Sequence, residues 1–245
     1  MPEILNVGPF MIKLSWLLLA ISGIAGYWAM KFKWKKTQYV HQPILDLLFN
    51  GLMIIFFTWK LSSVLFTPSL LWKQPLSLLF SSGSLNGLLL GLLFAIIYME
   101  LKLRSYKFPR WILLDLLPYG ICIMILVFSL FSWQYGSLTT LPWGISIENP
   151  DFKYHPINIY LVIVTLLMLG WLWKRDVSIL GSGVLFFDFL TFYGMGLMMI
   201  SIFKTQINIV YGISEEQFFY LLMMIIGRIL MLIHKRKTVI TPYRM

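Results

Sequence analysis

Seven long stretches that are almost free of charge divide the chain, and they constrain its fold more than any other feature. They cover residues 14–30, 47–65, 75–99, 116–136, 156–173, 177–203 and 218–233. A helix of about 20 apolar residues crosses a bilayer core, which is about 30 Å thick, so most of these stretches are long enough to span it. The sequence therefore predicts an all-α integral membrane protein with about seven transmembrane helices, folded as one polytopic domain over residues 1–245.

The composition supports a membrane protein and argues against several other classes. Charged residues make up 12% of the 245 residues and hydrophobic residues 59%. A soluble domain has about 25% charged residues, so much of this surface is expected to face lipid. The single cysteine, Cys122, lies in an apolar stretch, where we interpret it as a small buried side chain. Because the chain has no cluster of cysteines and histidines, we expect no metal site, and we expect no cofactor.

The basic residues lie mostly on alternate links between the apolar stretches. Of the 20 basic residues, 14 follow the first, third, fifth or seventh stretch, namely Lys31, Lys33, Lys35, Lys36, Lys102, Arg104, Lys107, Arg110, Lys174, Arg175, Lys235, Arg236, Lys237 and Arg244. Loops that stay in the cytoplasm are enriched in lysine and arginine, which predicts an N-terminus outside and a C-terminus in the cytoplasm. The net charge of +10 is then explained by these loops and by anionic lipid, so we expect no nucleic-acid partner.

Three charged side chains fall within the apolar stretches: Lys60, Asp188 and Arg228. A charge at this depth costs about 2.5–3.5 kcal/mol unless it finds a partner or reaches water. The long side chain of Arg228 can extend to the inner headgroups, whereas Asp188 needs protonation or an ion pair, with Lys60 or Arg228 as candidate partners. A transporter or channel would also carry such charges and stays an alternative, although the sequence contains no inverted repeat.

A cluster of small residues at 81–87, followed by Gly91, surrounds Asn86 in the third stretch. Small residues allow helices to approach closely, and they also allow irregular backbone to line a cavity. Residues 136–155, by contrast, contain several prolines and glycines without helical periodicity, which predicts an ordered surface loop on the outer side.

Five short patterns occur in order along the chain: residues 8–13, residues 59–66, residues 84–91, Gly136-x-x-Thr139-x-x-Pro142-Trp143, and His155-Pro156-x-x-x-Tyr160. Together they resemble motifs of the bacterial prolipoprotein diacylglyceryl transferases. The resemblance implies a protein of the bacterial plasma membrane that takes phosphatidylglycerol and moves its diacylglyceryl group to a cysteine of a lipoprotein precursor. It also implies candidate residues for lipid or substrate binding, which are Lys60, Asn86, His155, Tyr160 and Lys204.

The resemblance breaks down at the position of the family's polar signature, which falls on residues 124–133. This chain has Ile125, Phe128, Phe131 and Trp133 where the family has arginine, two asparagines and glutamate, and Asn86 where it has histidine. An amide does not titrate near neutral pH, so Asn86 cannot act as a base. Two hypotheses follow, and no catalytic residue is assigned in either. The chain is a diverged transferase, or it is a non-catalytic protein that kept the fold and binds lipid or a partner.

Overall fold

The computed structural model describes residues 4–7, 10–37, 44–62, 64, 68, 83–106, 111–147, 149–205, 209–210 and 212–240. Several predicted features lie outside these ranges. They are part of the pattern at residues 8–13, nearly all of residues 65–82, and the basic residues Lys107, Arg110 and Arg244.

Seven long helices lie within the described ranges: α1 (Leu14–Trp34), α2 (Ile44–Lys60), α3 (Leu85–Ser105), α4 (Ile112–Phe131), α5 (Ile157–Lys174), α6 (Val184–Ser201) and α7 (Glu215–Ile240). Five of them, α3 to α7, are long and apolar enough to cross a membrane. The described part of the chain therefore confirms a helical protein with several membrane-crossing helices. A total of seven crossings, and the orientation of the termini, stay predictions.

Helix α3 differs from the predicted third stretch at its C-terminal end. The sequence predicts an end at residue 99, but the helix continues through charged residues to Ser105. Glu100 and Arg104 form an ion pair one turn apart at 2.8 Å, which stabilises this polar extension. The helix begins at Leu85 because the Ser84 hydroxyl accepts the Gly87 N–H and caps the first turn.

Short antiparallel ribbons complete the described links, and the all-α prediction omits them. Their strands are β1 (Ile4–Val7), β2 (Phe10–Lys13), β3 (Tyr135–Leu138), β4 (Tyr154–Pro156), β5 (Ile209–Val210) and β6 (Ile213–Ser214), paired in sequence order. Strands this short leave no detectable alternation of apolar and polar residues in the sequence. The β3–β4 ribbon gives the described part of residues 136–155 an ordered structure, and its location on the outer side stays a prediction.

The chain divides into two compact units, one of residues 41–113 and the other of residues 1–40 with 114–245. In the smaller unit, α2 packs against α3. A Cβ atom at Gly91 would lie 3.0 Å from the Ile55 Cα, and one at Gly87 would collide with Ser62, so the small side chains allow the two helices to touch. Close packing is therefore the correct interpretation at these two positions. The single-domain prediction stays a prediction.

The core of the larger unit lies among α4, α5 and α6. Its buried members are Tyr119, Cys122, Met168, Leu172, Leu185, Phe189 and Tyr193. Cys122 is fully buried there, which confirms its interpretation as a small core side chain. Helix α7 packs against α6 so closely that a Cβ atom at Gly227 would lie 2.8 Å from the Phe187 carbonyl oxygen.

Two buried charged side chains satisfy backbone groups at one end of this unit. The Asp115 carboxylate accepts N–H groups from Gly181 at 2.9 Å, Gly183 at 2.7 Å and Phe186 at 3.1 Å. It therefore binds the donors at the start of α6 that have no partner within the helix. At the C-terminal end of α5, the buried Lys33 donates to the Arg175 carbonyl oxygen at 3.1 Å.

Candidate functional site

The β3–β4 ribbon is held against the C-terminal end of α6 by a glycine contact. Gly136 is buried, and a Cβ atom at this position would collide with the Phe203 carbonyl oxygen. The same oxygen accepts the Ser137 N–H at 2.8 Å. Glycine is therefore required where the ribbon meets the chain that follows α6, which explains the first position of the pattern that ends at Trp143.

The threonine of that pattern shapes the turn that carries Trp143. The Thr139 hydroxyl accepts the Leu141 N–H at 3.2 Å, and the Thr139 N–H donates to the Lys153 carbonyl oxygen. These bonds fold residues 139–144 back over the ribbon. The turn presents the indole of Trp143 towards α5, where its N–H donates to the Tyr160 hydroxyl oxygen at 3.0 Å.

A chain of hydrogen bonds joins Trp143, Tyr160 and His155. The Tyr160 hydroxyl lies 2.9 Å from His155 Nδ1, and His155 is buried with only 6% of its surface exposed. An indole N–H can only donate, which leaves the tyrosine proton available for Nδ1 of a neutral imidazole. The ring of Phe203 covers the pair, with centroids 4.8 Å from His155 and 5.5 Å from Tyr160. The structure thus brings together two of the predicted site residues, His155 and Tyr160.

An apolar groove of about 570 Å³ runs along α5 beside this chain of hydrogen bonds. We call it the outer groove. Tyr160 and Trp143 contribute to its walls, and its other lining residues are Leu141, Pro156, Ile159, Ile163, Val164, Met199, Ile200 and Phe203. A groove of this size with a few polar groups at one place is typical of small-molecule sites. Trp143 and Tyr160 are the lining residues whose side chains carry a polar group, and the buried His155 holds the Tyr160 hydroxyl in place.

Lys204 follows Phe203 directly, so it lies at the same end of the larger unit. Its ammonium group forms an ion pair with Glu216 at 2.6 Å, and the Tyr220 hydroxyl donates to the same carboxylate at 3.4 Å. The sequence gives no signal for this pairing, because Glu216 belongs to a different helix. The ion pair offsets much of the positive charge for which Lys204 was selected as a site candidate.

Lys60 and Asn86 belong to the smaller unit and lie at one end of its helix pair. Lys60 is the last residue of α2 and is half-buried, whereas Asn86 is exposed in the first turn of α3. The Ser84 N–H donates to the Ser62 hydroxyl at 2.8 Å and connects these two helix ends. The two candidates are therefore neighbours in the fold, with the amide of Asn86 accessible.

Comparison with known proteins decides the family. The sequence model of the family "Prolipoprotein diacylglyceryl transferase" matches residues 2–233. The chain belongs to the prolipoprotein diacylglyceryl transferase family. Two relatives, both called phosphatidylglycerol–prolipoprotein diacylglyceryl transferase, come from Mannheimia succiniciproducens and Pasteurella multocida. The first is 24% identical over 96% of this chain and 93% of its own length, and the second is 24% identical over 95% and 91%. A third, from Tropheryma whipplei, is 27% identical over 46% of each chain.

Residues 124–133, where the sequence analysis places the family's polar signature, form the C-terminal part of α4 and the two residues after it. Ile125 packs against the core of the larger unit and Phe128 is half-buried. Phe131 and Trp133 are 61% and 51% exposed, and the Trp133 ring stacks on Tyr135. In this member of the prolipoprotein diacylglyceryl transferase family, the segment therefore provides packing and apolar surface.

One polar side chain that the sequence did not single out lies against this segment. The buried Asn158 donates from Nδ2 to the Ser129 carbonyl oxygen at 3.3 Å. Its Oδ1 atom has no hydrogen-bond partner within the described residues. The sequence signal that could have identified Asn158 is a single amide side chain in an otherwise apolar predicted helix.

The two intramembrane charge candidates of the larger unit have different surroundings. Asp188 is buried in α6, with 9% of its surface exposed. Arg228 is exposed on α7, and its guanidinium group lies 6.0 Å from the centroid of the Phe192 ring. Lys60 belongs to the other unit, so its predicted pairing with Asp188 stays a prediction.

Proposed function

We propose that this protein binds a phosphatidylglycerol-type lipid in the outer groove and transfers its diacylglyceryl group to the cysteine of a lipoprotein precursor. Family membership supports this proposal, as do the names of relatives that align over nearly the whole chain. The single observation that carries it is the outer groove itself. Its apolar walls suit an acyl chain, and the Tyr160 hydroxyl provides a hydrogen-bonding group beside them.

The transfer reaction requires the cysteine sulfur to attack a glycerol carbon of the lipid. The carbon–oxygen bond to phosphate breaks, glycerol phosphate leaves, and the thiol proton needs an acceptor. The hydrogen-bonded pair gives that proton a route, because Tyr160 can accept it while passing its own proton to His155 Nδ1. In this proposal Tyr160 touches the reacting thiol, and His155 is the final proton acceptor.

The transfer is tested with purified protein, phosphatidylglycerol vesicles and a peptide that carries the lipoprotein cysteine. We expect a diacylglyceryl peptide by mass spectrometry, and we expect none from a peptide with serine in place of cysteine. The Tyr160→Phe variant should form no product but should still bind phosphatidylglycerol, since the groove keeps its apolar walls. Product formation by Tyr160→Phe at the unchanged rate would exclude the proposed proton route.

A second candidate function is lipid binding without transfer, and residues 124–133 favour it. Ile125, Phe131 and Trp133 provide no charge for a phosphate group and no group that titrates. Lys204, a candidate for attracting that phosphate, is paired with Glu216. This candidate predicts bound phosphatidylglycerol in the purified protein and no product in the same assay. Growth of cells that depend on this chain as their sole diacylglyceryl transferase would exclude it.

We also propose seven crossings of the bacterial plasma membrane, with the N-terminus outside and the C-terminus in the cytoplasm. The alternating charge of the links supports this orientation. The five apolar helices, together with α1, of 21 residues, and α2, of 17 residues, support the number of crossings. A green fluorescent protein fused to the C-terminus should fluoresce, and alkaline phosphatase at the same position should be inactive. The reverse pair of results would overturn the orientation.

A further inference from the structure

A second apolar groove, which we call the inner groove, lies between α5 and α6. Its volume is about 390 Å³, and its lining residues are Val164, Leu167, Met168, Trp171, Phe192, Tyr193, Met195, Gly196 and Met199. Val164 and Met199 also line the outer groove, so the two grooves adjoin. The inner groove extends from there towards the C-terminal end of α5, on the side away from Tyr160.

Two aromatic rings at the far end of the inner groove each contact the guanidinium group of an arginine. The Trp171 and Phe192 rings contact one another, with centroids 5.9 Å apart. The guanidinium group of Arg175 lies 4.2 Å from the centroid of Trp171, and that of Arg228 lies 6.0 Å from the centroid of Phe192. The fold therefore brings two cations from different helices to the same pair of rings.

The charge at this place remains positive and accessible, even when the buried Asp188, one turn before Phe192 on α6, is included. Both arginines are exposed, and Lys174 lies beside Arg175 in sequence and is also exposed. Asp176 is the nearest acidic residue in sequence. The Ser178 N–H donates to its carboxylate at 2.9 Å and thereby lowers the pKa of Asp176. Two guanidinium groups beside one apolar groove match the chemistry of an anionic phospholipid, with a phosphate head and an acyl tail.

We propose that the inner groove binds one anionic phospholipid, whose phosphate lies between Arg175 and Arg228 and whose acyl chain lies along α5 and α6. The two arginines lie at the end of the inner groove away from Tyr160, so the proposed phosphate site is distinct from the outer groove. In the proposed orientation this end of α5 faces the cytoplasm, which assigns the lipid to the cytoplasmic leaflet; only that assignment rests on the orientation. A lysine at these positions would supply a point charge, whereas arginine offers two parallel N–H donors to phosphate.

The test places a photoreactive p-benzoylphenylalanine at Leu167, which is 71% exposed in the wall of the inner groove. The protein is reconstituted in phosphatidylcholine vesicles that contain a minor fraction of phosphatidylglycerol, and captured lipid is identified by mass spectrometry. We expect preferential capture of phosphatidylglycerol. The Arg175→Gln/Arg228→Gln variant should lower that preference about tenfold, because each cation near the surface contributes to binding of anionic lipid.

Two controls separate this site from other effects. Arg104→Gln removes an exposed arginine from the smaller unit and should leave capture at residue 167 unchanged. The same photoreactive residue at Ile159, in the outer groove, reports on the lipid of the proposed transfer reaction. Its capture should not depend on Arg175 or Arg228, so failure of the proposed function and failure of this inference give different results.

An unchanged phosphatidylglycerol preference at residue 167 in the double glutamine variant would overturn the proposal. An equal decrease at residues 159 and 167 in a folded variant would overturn it too, since the two arginines would then act on lipid at both grooves and not at a site of their own. The Arg175→Lys/Arg228→Lys variant keeps the charge and should retain part of the preference. If the double glutamine variant does not fold, Arg175→Gln alone decides, because this side chain is exposed at a helix end.

Discussion

The two ends of α5 use buried polar side chains in different ways. At the C-terminal end, Asp115, Lys33 and Tyr119 bind backbone atoms of neighbouring elements. At the N-terminal end, Tyr160 and His155 bind one another at the edge of a groove. This difference indicates that a buried polar side chain whose partners are all backbone atoms stabilises the fold. A pair of side chains beside a cavity has a hydroxyl or a ring nitrogen available for a ligand.

The largest effect on stability is expected at the C-terminal end of α5, from the substitution Asp115→Ala. The change leaves three backbone N–H groups at the start of α6 without their acceptor. We expect the free energy of unfolding to fall by about 3–5 kcal/mol. Titration with sodium dodecyl sulfate in mixed micelles measures it. Asp115→Asn keeps one acceptor oxygen and should lose about half as much. A loss under about 1 kcal/mol for the alanine variant would remove the distinction between the two ends.

Lys33→Met tests the same end of α5, and a smaller loss of stability is expected. The variant loses the hydrogen bond to the Arg175 carbonyl oxygen and the contact with the Tyr119 ring, whose centroid lies 5.0 Å from the ammonium nitrogen. Because methionine keeps most of the packing volume, we expect a loss of about 1–2 kcal/mol in the same titration. The exposed Lys35→Met is the matched control and should change stability by less than about 0.5 kcal/mol.

Tyr160→Phe tests the other end, where function should change more than stability. The hydroxyl forms hydrogen bonds with the side chains of Trp143 and His155 and with no backbone group of the described residues. We expect unfolding to become easier by about 0.5–1 kcal/mol, and formation of lipidated peptide to stop. A destabilisation as large as that of Asp115→Ala, with unchanged lipid handling, would show that this pair is architectural as well.

The smallest effect is expected for Lys204→Met, next to the same site. Its ion pair with Glu216 is partly exposed, and such pairs contribute about 0.5 kcal/mol or less. Lipid capture by a photoreactive residue at Ile159 should stay unchanged, since Glu216 already offsets the lysine charge. A clear loss of captured phosphatidylglycerol, without loss of stability, would restore Lys204 as a lipid-binding residue.

The sequence predicted the helical membrane fold well because the decisive signals are local. Long uncharged stretches require helices in a bilayer, and a loop rich in proline and glycine excludes them. The start of α3 at Leu85 was missed within a longer apolar stretch. It depends on the Ser84 side chain, and a single hydroxyl does not alter the hydropathy of residues 75–99.

The candidate site was predicted only where its partners are close in sequence. His155 and Tyr160 are five residues apart, so a short pattern contains both of them. Asp115 binds backbone groups that lie 66 to 71 residues further along the chain. Arg175 and Arg228 come from different helices and meet through two rings. Contacts of this kind depend on how helices pack, which hydropathy and charge do not determine.

The glycine contact between α6 and α7 has a mechanical consequence. Because Gly227 has no side chain, its backbone lies directly against the Phe187 carbonyl oxygen and the Thr191 hydroxyl, and these two helices should move together as one rigid body. A lipid that widens the space between α5 and α6 would then displace the C-terminal helix too. A disulfide staple from α6 to α7 should leave lipid entry intact, while one from α5 to α6 should block it.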